Sequence, residues 1–224
     1  AFNRKTSEID VNGVETVTAY DDMNRVDMVT RKGATVGDDI VTDYAYNGFG
    51  DLDLVTRPMG NLVDYIYSDT NGDLAKGRLT AMERKLNAST PGERMAYAYD
   101  NLGKKTREEM QSWNGSGWIA ESWKDFEYYG RCQLKKVIDA SGNAQETHYD
   151  CSGNVDKVWD FAHPSASQTA TASTSYTYDA LNRVLTVTQP WTAGAPNIAT
   201  TTYGYDIQDH LTSVLDANTG LTSY

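Results

Sequence analysis

The segment Tyr176-Thr-Tyr178-Asp179-Ala-Leu-Asn182-Arg183-Val184 decides the fold, because the chain repeats variants of it along its whole length. The third position of each copy holds a tyrosine, which we call the anchor. The eight anchors are Tyr20, Tyr46, Tyr67, Tyr99, Tyr128, Tyr149, Tyr178 and Tyr205. One short unit recurring every 21 to 32 residues is typical of a repeat architecture, in which one supersecondary unit is stacked on itself.

Each anchor is predicted to end a β-strand. Two residues before it lies a second aromatic residue in six copies: Tyr44, Tyr65, Tyr97, Phe126, Tyr176 and Tyr203. Residues i and i+2 of a strand share one face, so each pair would pack on one side of a sheet. The residue after the anchor is Asp in five copies, and Asp is favoured at the first position of a type I turn.

The residues that follow each anchor predict a tight hairpin. The fourth residue after the anchor is Asn24, Gly50, Asn71, Gly103, Gly153, Asn182 or Asp209, with Cys132 as the exception. Gly, Asn and Asp best tolerate a positive φ angle. A type I turn closed by such a left-handed residue is a common hairpin connection. The sixth residue is mostly Val or Leu, which restarts an apolar strand.

The predicted fold is therefore all-β, with residues 1–224 forming one array of about eight hairpins. The segments between the motifs vary in length without a change in composition, so they are interpreted as loops of one body. The chain begins and ends within the repeating pattern and starts without Met. We therefore expect it to be a fragment of a longer array.

Charge and hydropathy exclude two classes of partner. The formal net charge is −11, whereas nucleic acids and anionic membranes bind basic surfaces. No apolar run approaches the roughly 20 residues that span a bilayer. Neither nucleic-acid binding nor membrane insertion by this segment is predicted.

The sequence does not predict an enzyme, a cofactor or a metal site. It contains no Gly-rich phosphate loop and no nucleophile motif. His148, His163 and His210 have no metal-ligand spacing to one another or to Cys. The acidic segment 69–73 differs from a calcium loop because its Gly is fourth and no Glu follows at position twelve. An ordinary turn is expected there.

Cys132 and Cys151 both fall in predicted turns of neighbouring hairpins. A secreted context permits a disulfide between them. Two isolated cysteines are more often free or buried, so both interpretations stay open.

One segment stands out as a candidate ligand-binding site. Trp113, Trp118 and Trp123 surround a Gly-rich turn. The first interpretation is a long hairpin whose indole rings pack on the neighbouring unit. The second is an exposed aromatic surface for a sugar ring or a protein partner.

The repeated unit Tyr-x-Tyr-Asp-x-x-Gly-Arg-Leu resembles the YD repeat, also called the Rhs repeat. The residues that match it are Tyr176, Tyr178, Asp179, Asn182 and Arg183. The string Gly77-Arg78-Leu79 matches the Gly-Arg-Leu part of the unit, although it lies further from its anchor than in the other copies. YD repeats occur in bacterial Rhs and wall-associated polymorphic toxins, in the shell components of insecticidal toxin complexes and in teneurins. The resemblance implies a spiralling ribbon of hairpins that forms a segment of a hollow β-shell.

Two functions follow from the resemblance, and both imply a secreted or cell-surface protein. In the first, the chain is part of a toxin shell that encloses and delivers a C-terminal effector, so its partners are that effector and neighbouring shell repeats. In the second, a cell-surface array binds a glycan or a protein through exposed aromatic residues. The self-cleaving Asp-Pro-x-Gly-Leu string of complete Rhs toxins is absent near Asp216, so no catalytic residue carries over.

The array is also expected to associate with itself. Terminal repeats need caps, and uncapped strand edges pair with other chains. We expect edge-to-edge oligomers or aggregates, and a clean monomer in analytical ultracentrifugation at micromolar concentration would contradict this.

Overall fold

The structure, a computed structural model, describes residues 4–68, 76–162, 172–190, 198–216 and 220–224. Its regular structure consists of β-strands and two short 3-10 turns, Val36–Asp38 and Pro58–Gly60. The strands are β1 Ser7–Ile9, β2 Glu15–Tyr20, β3 Val26–Arg31, β4 Ile40–Tyr46, β5 Leu52–Thr56, β6 Leu62–Tyr67, β7 Leu79–Asn87, β8 Thr90–Tyr99, β9 Lys105–Trp113, β10 Trp118–Tyr128, β11 Leu134–Asp139, β12 Ala144–Tyr149, β13 Val155–Phe161, β14 Ala172–Tyr178, β15 Val184–Pro190, β16 Ile198–Tyr205, β17 Leu211–Asp216 and β18 Gly220–Ser223. The predicted all-β class is confirmed.

The chain forms two compact units, residues 1–123 and 124–224. In the first unit, strands β1 to β9 pair antiparallel in chain order, and β9 pairs with β10. In the second unit, the last five residues of β10 pair with β11, and the same order continues to β18. Within each unit the turns after the anchors therefore lie along one edge, which we call the motif edge. The other connections lie along the opposite, far edge.

The turn after each anchor, which we call a motif turn, has one hydrogen-bonding pattern. In the turn 21–25, the Asp21 N–H donates to the Arg25 carbonyl (2.9 Å), and the Asn24 N–H donates to the Asp21 carbonyl (2.9 Å). The same two bonds close the turns 47–51, 100–104, 129–133, 150–154, 179–183 and 206–210. The strand register shifts by one residue at every anchor, which marks a β-bulge beside the turn. The predicted hairpins are confirmed.

The fourth residue of these turns is left-handed, as predicted. The φ angles are 69° at Asn24, 95° at Gly50, 79° at Gly103, 90° at Gly153, 60° at Asn182 and 68° at Asp209. Cys132, the exception in sequence, adopts the same conformation with φ 68°. The backbone hydrogen bonds of the turn therefore impose the conformation on whichever residue stands there.

The third motif turn is longer than the sequence pattern suggests. Asn71, where the pattern places the left-handed residue, lies outside the described residues. Gly77 (φ 74°) instead closes this turn, since its N–H donates to the Ser68 carbonyl (2.7 Å). The Ser68 N–H donates in turn to the Arg78 carbonyl (3.0 Å). Gly77, Arg78 and Leu79 thus take the places that Asn24, Arg25 and Val26 hold in the first turn.

The Cys132→Gly variant is expected to raise the free energy of unfolding by about 0.5–1 kcal/mol. A non-glycine residue in the left-handed region costs about 1–2 kcal/mol, and the greater freedom of glycine in the unfolded chain offsets part of that gain. Cys132 is exposed, so its replacement removes little packing. Urea unfolding under reducing conditions would measure the change. Asn24→Gly is the control, and an equal gain there would contradict the explanation, because Asn already tolerates this conformation.

The most buried described residues lie in the first unit, on strands β5 to β7. Val55, Val63 and Ala81 are 7%, 4% and 0% exposed. Glu83 is also buried, with Lys85 and Arg94 within 4 Å of its carboxylate. Most other strand residues are half-buried. The fold therefore depends more on contacts between neighbouring hairpins than on one deep core.

Candidate functional site

Seven anchor tyrosines hydrogen-bond to the hairpin or segment that precedes their own hairpin. The Tyr46 hydroxyl donates to the backbone carbonyl of Val26 (2.8 Å), the first residue of the second strand of the preceding hairpin. The same contact joins Tyr20 to Lys5, Tyr67 to Leu52, Tyr99 to Leu79, Tyr149 to Leu134, Tyr178 to Val155 and Tyr205 to Val184, at 2.6–3.0 Å. We call this set of contacts the tyrosine ladder.

The arginines of the motif add a second contact between hairpins. The guanidinium group of Arg25 lies over the Tyr46 ring, 4.2 Å from its centroid, and that of Arg183 lies 4.7 Å from the Tyr205 centroid. Arg78 stacks in the same way on Tyr99, and Arg4 on Tyr20. The sequence carries a signal for this role, since an Asn-Arg string recurs at positions 3–4, 24–25 and 182–183.

The repeated aspartates stabilise the turns. Asp179 Oδ1 accepts the backbone N–H groups of Leu181 (2.9 Å) and Arg183 (3.0 Å). Its Oδ2 accepts the Arg183 Nε–H (2.7 Å). The side-chain hydrogen bond from Arg183, supported by these backbone N–H groups, holds the pKa of the Asp179 carboxyl below its ordinary value. Backbone N–H groups lower the pKa of Asp21, Asp100 and Asp206 in the same way.

These lowered pKa values predict that acid destabilises the fold. A carboxyl whose folded pKa lies below its unfolded value stabilises the protein at neutral pH, and this contribution is lost as the pH falls through the folded pKa. The free energy of unfolding should therefore stay level from neutral pH to about pH 5, and it should decrease at pH values below about 4. Urea unfolding across this range would measure the effect.

Replacing the four turn aspartates, Asp21, Asp100, Asp179 and Asp206, with Asn tests the cause. An Asn side chain can still accept both backbone N–H groups, as Asn47 does from Phe49 and Asp51, but it does not titrate. The variant should unfold with a weaker dependence on acid. Unchanged acid sensitivity would assign the effect to other carboxyl groups.

Two of the three candidate tryptophans contact each other in the structure. The Trp113 and Trp118 rings meet edge to face with centroids 5.4 Å apart across the 114–117 turn. Arg94 lies over Trp118 (5.5 Å) and Arg107 over Trp123 (4.8 Å). We call these five residues the tryptophan cluster.

The two arginines of the cluster lie on one face of the first unit. Register pairs Arg94 with Gln111 and Ala98 with Arg107, so both arginines project from the same face. Trp113 is 38% exposed, whereas Trp118 and Trp123 are half-buried. The rings thus pack against neighbouring strands and leave part of their surface in solvent.

A concave groove lies on the face that carries the anchors of the first unit. It has a volume of about 600 Å³, and Tyr20, Val29, Tyr44, Tyr46 and Leu52 contribute to its lining. Lys5 and Glu8 form an ion pair (2.8 Å) among the lining residues. The sequence did not reveal the groove, because its lining comes from several successive strands whose relative placement no short pattern encodes.

Other candidate groups remain dispersed. Cys132 and Cys151 are free and exposed. His148 packs on Trp159 (centroids 4.4 Å apart), His210 contacts Asp206 within its own turn, and His163 and the 69–73 segment lie outside the described residues. Within the described part of the chain, no group of three or more His, Cys, Asp or Glu is placed to hold a metal ion. No helix among those residues has the length and apolar character needed to cross a membrane.

Comparison with known proteins reveals similarity at the level of structure. No protein-family model and no curated protein sequence matches the chain. Two crystal structures share its fold: TcdB2-TccC3-Cdc42 (TM-score 0.67) and TcdB2-TccC3 without its hypervariable C-terminal region (TM-score 0.68). Both are 17% identical in sequence and match 93% and 94% of this chain, which spans only 12% of each of theirs.

The sequence motif and the structural match agree. The motif residues form the hairpins, and the tyrosine ladder joins one hairpin to the next. The two TcdB2-TccC3 structures match this same arrangement of hairpins over more than nine tenths of the chain. The chain therefore has the fold of a YD-repeat, or Rhs-repeat, array.

Proposed function

We propose that the chain is a structural segment of the shell of a secreted YD-repeat toxin. The shell would enclose an effector carried by the same parent chain and deliver it, with neighbouring shell repeats as the other partners. The observation that carries the proposal is the fold shared with TcdB2-TccC3 over more than nine tenths of this chain.

The use of the repeated residues supports a structural role without catalysis. Each tyrosine hydroxyl in the ladder donates to the preceding hairpin, and each motif arginine that stacks does so on the next anchor. The turn aspartates accept backbone N–H groups of their own turn. The most frequently repeated polar groups therefore stabilise the turns and join neighbouring hairpins, which favours a structural role over an enzymatic one.

The test is intact mass spectrometry with limited proteolysis on the parent protein that contains this segment. The proposal predicts a C-terminal piece that is already cleaved and still held by a protease-resistant array. An uncleaved chain whose C-terminal part is digested as readily as a free domain would overturn it.

The tryptophan cluster supports a second candidate function, the recognition of a glycan or a protein at a cell surface. The specific observation is that Arg94 and Arg107 stack on Trp118 and Trp123, and that Trp113, which contacts Trp118, is 38% exposed. Aromatic and arginine side chains are the residues most enriched among energetic contacts at interfaces.

Glycan-array binding would test this second function with Trp113→Ala as the main variant. Binding should fall at least tenfold in Trp113→Ala and stay unchanged in Trp159→Ala, whose ring packs on His148 in the other unit. Equal signals from the wild type and Trp113→Ala would exclude the cluster as the site.

A further inference from the structure

The fourth residue of a motif turn varies in type although its backbone conformation does not. Asn24, Gly50, Gly103, Asn182 and Asp209 are all left-handed, and their turns close with the same two hydrogen bonds. Gly, Asn and Asp all tolerate this conformation. The conformation alone therefore does not explain why one turn carries Gly and another carries Asn or Asp.

In the second unit, polar fourth residues are bound by the fifth residue of the preceding turn. Asn154 Nδ2 donates to Asn182 Oδ1 (3.0 Å). Arg183 Nη1 donates to Asp209 Oδ1 (2.8 Å) and to the Asp206 carbonyl (2.8 Å) of the same turn. A hydrogen-bond acceptor at the fourth position thus stands opposite a donor at the preceding fifth position.

In the first unit, glycine stands at the fourth position where the preceding arginine needs the space. A Cβ atom on Gly103 would overlap the guanidinium group of Arg78, which stacks on the Tyr99 ring. A Cβ atom on Gly50 would lie 3.4 Å from Arg25 Nη1, at the short end of ordinary contact. Glycine therefore leaves room for an arginine that packs on the anchor of the next hairpin.

Two further turns show that the contact depends on the reach of the fifth side chain. A Cβ atom on Gly153 would lie 3.6 Å from Gln133 Nε2, an ordinary contact distance. Before the third turn, the fifth residue is the short Asp51, which accepts a hydrogen bond from Asn47 of its own turn (3.4 Å). A Cβ atom on Gly77 would meet nothing within 4 Å. The fourth residue is thus constrained only where the preceding side chain reaches it.

We propose that the fifth residue of one motif turn specifies the fourth residue of the next turn in the same unit. The two side chains form a recognition pair between successive hairpins. An arginine that lies over the next anchor requires glycine or an acidic acceptor beside it, and an asparagine requires a hydrogen-bonding partner. The pairing determines which hairpin fits after which. It goes beyond the proposed function, since it requires neither an effector nor a closed shell.

A double-mutant cycle at Arg78 and Gly103 tests the proposal through the equilibrium constant for unfolding in urea. Gly103→Asn introduces a residue that tolerates the left-handed backbone but displaces the guanidinium group from the Tyr99 ring. The constant should rise about fivefold more than in Gly77→Asn, the matched control, whose Cβ atom meets nothing. In the Arg78→Ala background, the effects of the two Asn substitutions should agree within about twofold.

The pair Arg183 and Asp209 provides a second cycle that depends on charge. Asp209→Lys places a cation beside the Arg183 guanidinium group and should raise the unfolding constant about threefold at low salt. This effect should shrink as salt screens the repulsion, and its salt dependence should vanish in the Arg183→Met background. Asp209→Asn keeps the oxygen acceptor and is the control that should resemble the wild type.

Circular dichroism would verify that each variant is folded. A Gly103→Asn penalty equal to that of Gly77→Asn, or one that persists in full after Arg78→Ala, would overturn the proposal, because the fourth residue would then be chosen by its own turn. An Asp209→Lys penalty that is the same with and without Arg183 would overturn it as well.

Discussion

Replacing Tyr46 with Ala is expected to lower the free energy of unfolding by about 3 kcal/mol. The change removes a half-buried aromatic ring, the stacking of Arg25 on that ring (4.2 Å) and the hydroxyl donation to the Val26 carbonyl (2.8 Å). Loss of a large aromatic side chain from packed surroundings costs about 3–5 kcal/mol, and partial exposure places Tyr46 at the lower end. Urea unfolding followed by circular dichroism would measure it.

The Tyr46→Phe variant separates the ring from the hydroxyl group. It should lose only about 1 kcal/mol, the usual net contribution of one hydrogen bond. Tyr224→Ala is the matched control, because its side chain is 78% exposed and its loss should cost less than about 0.5 kcal/mol. If Tyr46→Ala cost no more than Tyr224→Ala, the tyrosine ladder would not be what holds the hairpins together.

Gly92→Ala is expected to destabilise the protein by about 2–3 kcal/mol. Gly92 lies on β8 beside a register shift, and a Cβ atom there would lie 2.5 Å from the backbone oxygen of Arg84 on the paired strand β7. Side-chain rotation cannot relieve a clash with backbone, so the two strands must separate locally. Forced overpacking of this kind costs about 1–3 kcal/mol, and the loss of strand hydrogen bonds places Gly92 at the upper end.

Gly117→Ala is the control for this prediction. A Cβ atom at Gly117 would meet nothing within 4 Å, so its substitution should change stability by less than about 0.5 kcal/mol. Thermal unfolding of both variants would compare them. A Gly92→Ala protein as stable as the wild type would mean that the strands tolerate a wider separation at this bulge.

The hairpins could be predicted from the sequence because their causes are local. Each motif has an anchor tyrosine, an Asp whose side chain accepts backbone N–H groups of the same turn, and a left-handed residue three positions after that Asp. The three lie within five residues of each other. Asp179 and Asn182 illustrate this, since both act inside the same turn. Cys132 was the exception in sequence and still follows the rule, because the turn hydrogen bonds impose the backbone conformation.

The third turn is longer than the other motif turns, and Asn71 lies outside the described residues. Counting residues placed the left-handed position at Asn71, but Gly77 closes the turn after an insertion. The hydrogen bonds fix the backbone conformation at the end of a turn. They do not fix how many residues the turn contains. The delayed Gly77-Arg78-Leu79 string was the available signal.

The sequence by itself determined the β class and the hairpin unit, since both depend on residue types within one turn and its flanking strands. Only the tertiary structure decided which carbonyl the anchor hydroxyls meet, that Arg25 stacks on Tyr46, and that Arg94 and Arg107 stack on Trp118 and Trp123. These contacts join residues 10 to 20 or more positions apart, so they depend on strand register and on the path of the chain between hairpins, which no short pattern encodes.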